Sequence, residues 1–97
     1  MDVNAIAASG LRAAGTDLRT AATNIANATT PGFKAEEVVR TAAPQGGVVT
    51  DVVETEQDVS TDQELVRADM ATYNFQANLK VLERQRDLDK SLLDIQA

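Results

Sequence analysis

The sequence predicts a mainly α fold in which two long terminal helices pair as an antiparallel, coiled-coil-like hairpin, with a short β-hairpin or irregular segment between them. Three observations carry this. Apolar residues recur at alternating spacings of four and three over residues 3–28. Residues 61–95 run without a Pro or Gly. Between them, two short β-branched runs flank a Pro-Gly turn cluster. The chain has 97 residues, enough for one small domain, and residues 1–97 are read as a single unit.

The first helix is predicted over residues 3–28. Ala7, Leu11, Ala14, Leu18, Ala21, Ile25 and Ala28 form a seam suited to packing along another helix, and Ile6 widens it. Asp2 or Asn4 can cap its start by accepting from a free backbone N–H. Gly10 and Gly15 leave slim flanks for close approach, although each mid-helix Gly costs about 1 kcal/mol against Ala. Such a helix should be weak without a partner.

Residues 29–60 are the middle segment. Thr29-Thr30-Pro31-Gly32 stops the helix, because Pro cannot continue it and biases the preceding residue toward extended geometry. Pro31-Gly32 reads as the centre of a type II turn, with Phe33 placed just past it to fold back on the helix. Glu37–Thr41 and Val48–Val53 flank Pro44-Gln45-Gly46-Gly47 and read as a small hairpin. A lone two-stranded hairpin is marginal in water, which leaves an irregular segment as the alternative. Residues 54–58 are a solvated acidic stretch.

The second helix is predicted over 61–95, with Ser60 and Gln63, or Thr61 and Glu64, as a capping box. Lys80–Glu83, Glu83–Arg86 and Asp87–Lys90 are favourably spaced charge pairs. Two apolar stripes run along it. One is Val66, Met70, Tyr73, Ala77, Val81, Leu88, Leu92 and Ile95; the other is Leu65, Phe75, Leu79, Leu82 and Leu93. One stripe is expected to pack on the first helix. The other has nothing left in the chain to cover it and marks an interface.

Composition narrows the chemistry. There is no Cys and no His, which removes thiol catalysis, imidazole acid–base work and the usual zinc ligand sets. No cofactor site is expected. Glu83, Asp87, Asp89 and Asp94 do not share a helix face with a base nearby, so they read as solvated surface, and Gly46-Gly47 lacks the Lys-Ser/Thr of a phosphate loop. The net charge of −6 argues against nucleic acid as a partner. No apolar run approaches the roughly 20 residues of a membrane span, so no membrane insertion is expected. The N-terminus carries Asp2 and no basic region, unlike a cleaved secretory signal. The apolar share of 43% is mostly Ala, Val and Leu, with three aromatics: Phe33, Tyr73 and Phe75. A core made this way is marginal in so short a chain, and assembly with other chains is the expected remedy.

Asn24-Ile25-Ala26-Asn27-Ala28-Thr29-Thr30-Pro31-Gly32-Phe33-Lys34 closely resembles the N-terminal signature of the flagellar rod, hook and hook-associated axial proteins. Tyr73-Asn74-Phe75-Gln76-Ala77-Asn78-Leu79-Lys80-Val81 is similar to the C-terminal signature of the same family. Thr29 and Phe33 depart from it, standing where the family usually has Asn and Tyr. With so short an insert between the helices, the chain looks most like a short proximal rod protein. The resemblance implies a structural, non-enzymatic subunit of the bacterial flagellar basal body. Such a subunit would be exported through the flagellar type III apparatus and would partner itself and other rod subunits around the export channel. By the same resemblance and by packing, the residues expected to carry assembly are Leu11, Leu18, Asn24, Ile25, Asn27, Pro31, Gly32, Phe33, Tyr73, Phe75, Gln76, Asn78, Leu79 and Leu82. Asn24 and Asn27 either bond between subunits or simply end the helix. Gln76 and Asn78 either fix the register of packed helices or face solvent. A coiled-coil binding module or export chaperone explains the two-striped helix equally well, but not the paired signatures.

Overall fold

The structure, a computed structural model, describes residues 2–96. Helix α1 spans Val3–Ala26, strands β1 and β2 span Glu36–Ala42 and Val48–Glu54, and helix α2 spans Thr61–Gln96. The fold is the expected one of two helices with an antiparallel β-hairpin between them.

Each boundary has a local cause. Asp2 caps α1, its carboxylate accepting from the Ala5 N–H at 2.7 Å. The helix stops two residues short of the expected 28, because the chain tightens at Asn27. The Asn27 side-chain amide donates to the Thr23 carbonyl at 2.9 Å, and the Ala28 N–H turns back to the Ile25 carbonyl at 3.2 Å. Pro31 and Gly32 then form the tight turn, with the Phe33 N–H bonded to the Thr30 carbonyl at 3.2 Å and Gly32 at a φ of 77°. Ser60 begins α2, its carbonyl accepting from the Glu64 N–H at 3.0 Å, and Asp62 and Glu64 place negative charge in the first turn, where the helix dipole favours it. The expected pairs of Lys80, Glu83, Arg86, Asp87 and Lys90 do not close as ion pairs; the three formed among the described residues are Lys34–Asp58, Arg40–Asp17 and Arg67–Glu64.

In the hairpin, Glu36 pairs with Glu54 and Ala42 with Val48. Its base is closed beyond the strands by the Ala35 N–H to the Gln57 carbonyl at 2.8 Å and the Thr55 N–H to the Ala35 carbonyl at 2.9 Å. The Lys34–Asp58 ion pair follows at 2.7 Å, and it holds the Asp58 carboxyl below its ordinary pKa, first through the hydrogen bond and then through the lysine charge.

The molecule is long and thin, 63 × 26 × 14 Å, with a radius of gyration of 17.3 Å. A compact chain of this length would have about 12–13 Å. The consequence appears in the core. Among the described residues, the buried apolar side chains are Ala7, Ala13, Ala14, Ala21, Ala35 and Ala71. No larger apolar residue is among them.

The helix seam therefore differs from the expected one. Ala7, Ala14 and Ala21 are buried as predicted, but Leu18 is 42% exposed, and Leu11 and Ile25 are half-buried. The face turned inward is Ala7, Gly10, Ala14, Asp17, Ala21 and Asn24, one residue off the leucines. On α2 the inward positions are Glu64, Ala68, Ala71, Asn78, Leu82 and Gln85, at spacings of three, four and once seven. Neither large apolar stripe of α2 packs wholly on α1. The stripe from Val66 to Ile95 is exposed throughout, and of the other only Leu82 is half-buried. Small and polar side chains bring the two helices close, and the large ones are left outside.

Candidate assembly surface

What positions the exposed ridges is the way α1 holds its two neighbours. Against α2, the decisive position is Gly10. A Cβ there would stand 2.5 Å from Asn78 Oδ1, so only glycine leaves room for the Asn78 amide, which itself donates to the Asn74 carbonyl at 2.9 Å. Asn78 thus sits on the seam between the helices, whereas Gln76 faces solvent.

Against the hairpin, α1 uses two buried polar side chains. The Asn24 amide, 0% exposed, donates to the Glu36 carbonyl at 2.9 Å and accepts from the Glu36 N–H at 2.8 Å. Ser9, 3% exposed, donates its hydroxyl to the Val48 carbonyl at 2.9 Å and accepts from the Val48 N–H at 2.8 Å. Glu36 opens β1 and Val48 opens β2, so each side chain satisfies both backbone groups of a strand's first residue. Ser9 and Asn24 are about 22 Å apart along the helix, and β1 is about 20 Å long. The hairpin therefore lies lengthwise on α1, pinned at both ends. Asn24 spends its amide within the chain, on the backbone of Glu36. Asn27 does end the helix, as one of its two readings has it.

Between the two helices and the hairpin is a cleft of about 380 Å³. Two ion pairs lie in it: Arg40 of β1 with Asp17 of α1 across the cleft, and Arg67 with the buried Glu64 along α2 at 2.7 Å, while Glu36 and Glu37 also line it. No group of three or more acidic side chains is gathered for a metal among the described residues. Among the described residues, no helix is long and apolar enough to cross a membrane.

What remains is apolar surface. Pro31 and Gly32 are exposed at the turn, and Phe33 is half-buried beside them. On α2, Tyr73 is 73% exposed and Leu79 and Phe75 about 41–42%, with Val66, Met70, Val81 and Leu88 exposed along the same helix. Beyond Gln85 every described residue of α2 is exposed. The Gly10–Asn78 contact explains why. In an antiparallel pair fixed there, Val3 at the start of α1 falls level with residue 85, and α1 has nothing further to offer. The last three turns of α2 overhang with Leu88, Leu92, Leu93 and Ile95 uncovered. Chain order and helical period show an apolar stripe, but the overhang depends on the relative register of two helices, which the Gly10–Asn78 contact marks.

Residues 5–34 match the family model described as flagella basal body rod protein. No curated protein matches the chain.

Proposed function

We propose, from the premise that this chain is of the flagellar basal-body rod family, that it is a structural subunit which polymerises through its two terminal helices into the axial tube of the rod. The tube transmits torque and surrounds the export channel. The subunit reaches its place outside the cytoplasm through the flagellar export apparatus and joins copies of itself and other rod subunits.

One observation supports this above the others: the single chain buries no apolar side chain larger than alanine among its described residues, while Val66, Met70, Tyr73, Leu88, Leu92 and Ile95 stand open to water. Alanine contributes little to burial, whereas each Leu, Ile, Val or Met covered by a neighbour contributes about 1.5–3 kcal/mol. The favourable burial in this fold lies between molecules. An elongated body with apolar ridges along its length fits side-by-side packing into a tube.

Deleting the gene in the host bacterium tests the reading. Loss of swimming with no hook assembled is the expected phenotype, restored by the intact gene in trans. A deletion strain that swims and builds hooks overturns it. In solution, the purified chain should gain helix with concentration as it associates; a rigid, fully helical monomer at high dilution would count against polymerisation.

A further inference from the structure

We propose that the overhanging end of α2 in one copy docks antiparallel on the outer face of α1 in another copy of this chain. This rests on the polymerisation reading above and specifies which surfaces meet.

The acceptor is a second seam on α1. Ala8, Leu11, Gly15, Leu18, Ala22 and Ile25 follow one another at spacings of three and four, about 100° around the helix from the inward face of Ala7, Gly10, Ala14, Asp17, Ala21 and Asn24. Small residues alternate with large ones; Leu18 and Ala22 are exposed, Ala8, Leu11, Gly15 and Ile25 are half-buried, and a Cβ added at Gly15 would meet nothing within 4 Å. In heptad terms the small residues occupy a, the large ones d, and Arg12 and Arg19 occupy e. Neither arginine belongs to an ion pair formed among the described residues.

The donor is the overhang. Leu88, Leu92 and Ile95 occupy d, a and d, all at least half exposed, and Asp89 occupies e. Asp89 meets only the Gln85 amide at 3.4 Å. The overhang lies past the beginning of its own α1, so it cannot reach its own acceptor without breaking α2.

Charge selects the direction. Laid parallel, the arginines at e would face the g positions of α2, Arg84 and Ser91, and like charges would meet. Laid antiparallel, e faces e and Asp89 comes beside Arg19. In that register Leu88 seats over Ala22 and Ile95 over Gly15, large side chains in small gaps, and Leu92 lies beside Leu18 as the central apolar contact. Donor and acceptor are different surfaces, so the contact is head-to-tail and extends from copy to copy instead of closing as a two-fold dimer.

The test uses two full-length variants in sedimentation velocity. Leu18→Asp spoils the acceptor and leaves the donor; Leu92→Asp spoils the donor and leaves the acceptor. Both sites are exposed in the monomer, and circular dichroism checks that dilute helicity is unchanged. Each variant alone should associate roughly tenfold more weakly than the natural chain, a loss typical of a central apolar contact. An equimolar mixture should form a one-to-one pair that does not grow. Asp89→Arg should also weaken association, and adding Arg19→Asp should restore it. Either variant assembling like the natural chain, or a mixture that fails to pair, overturns the assignment while leaving polymerisation intact. A natural chain that stays monomeric at every attainable concentration overturns both.

Discussion

Asn24 on α1 and Glu36 at the start of β1 share two hydrogen bonds, the Asn amide donating to the Glu36 carbonyl at 2.9 Å and accepting from the Glu36 N–H at 2.8 Å. Since Asn24 is fully enclosed, no water can replace either bond. Asn24→Ala should leave a buried N–H and C=O unpaired and cost about 2–3 kcal/mol. Asn24→Asp keeps the acceptor but loses the donor and places a carboxylate with no counter-ion in a fully buried site, so it should cost at least as much. Amide exchange at Glu36 checks this: exchange should accelerate in the Ala variant before α1 itself opens. Unchanged protection would mean that the hairpin is held elsewhere.

The same residue shows where sequence reasoning reached and where it stopped. Pro31-Gly32 and Pro44-Gln45-Gly46-Gly47 announced their turns because positive φ and fixed φ are local properties of Gly and Pro. The helix seam was half legible. Ala7, Ala14 and Ala21 belong to both possible faces, and the choice between the leucines and Gly10, Asp17 and Asn24 as their companions could not be made on hydrophobicity. A flat hairpin with unmet backbone groups selects the polar face, and that need arises only when α1 and the hairpin lie together. Ser9 carried no signal of its own; its role depends on Val48, 39 residues away.

Gly10 and Gly15 make a paired prediction. Gly15→Ala adds a methyl in open space and should stabilise the dilute monomer by about 0.5–1 kcal/mol through helix propensity. Gly10→Ala gains the same propensity but drives the new Cβ into Asn78, whose amide must leave both its place on the seam and its bond to Asn74. It should be less stable than Gly15→Ala by at least about 1 kcal/mol. Chemical denaturation of the two variants gives the comparison. Adding Asn78→Ala to each should remove most of the difference; a difference that persists would place the clash elsewhere.

The Lys34–Asp58 pair sets a pH dependence. Asp58 is depressed in the folded chain by the Lys34 hydrogen bond and charge. Its contribution is therefore present above its ordinary pKa of 3.8 and is lost as pH falls through the lower folded value. Because Asp58 is exposed, the effect on stability should be small and salt-sensitive. Carbon-detected titration of the Asp58 carboxyl should give a midpoint below the ordinary value, moving up in Lys34→Gln. An identical midpoint in both would remove the pair from the account.

Glu64 is the one fully buried acidic residue among the described residues, 2% exposed, with Arg67 as its partner at 2.7 Å. Removing the partner and removing the charge are different experiments. Arg67→Met leaves a buried carboxylate with no counter-ion and should destabilise by roughly 3 kcal/mol. Glu64→Gln keeps the shape and a hydrogen-bonding group, needs no counter-ion, and should cost well under half as much. Glu64→Gln combined with Arg67→Met should then recover most of what Arg67→Met alone loses. Urea denaturation at a concentration too low for association gives all four stabilities. If Arg67→Met proves as mild as Glu64→Gln, solvent reaches Glu64 at the mouth of the cleft. The interface between α1 and α2 would then be looser than its small, close-packed seam implies.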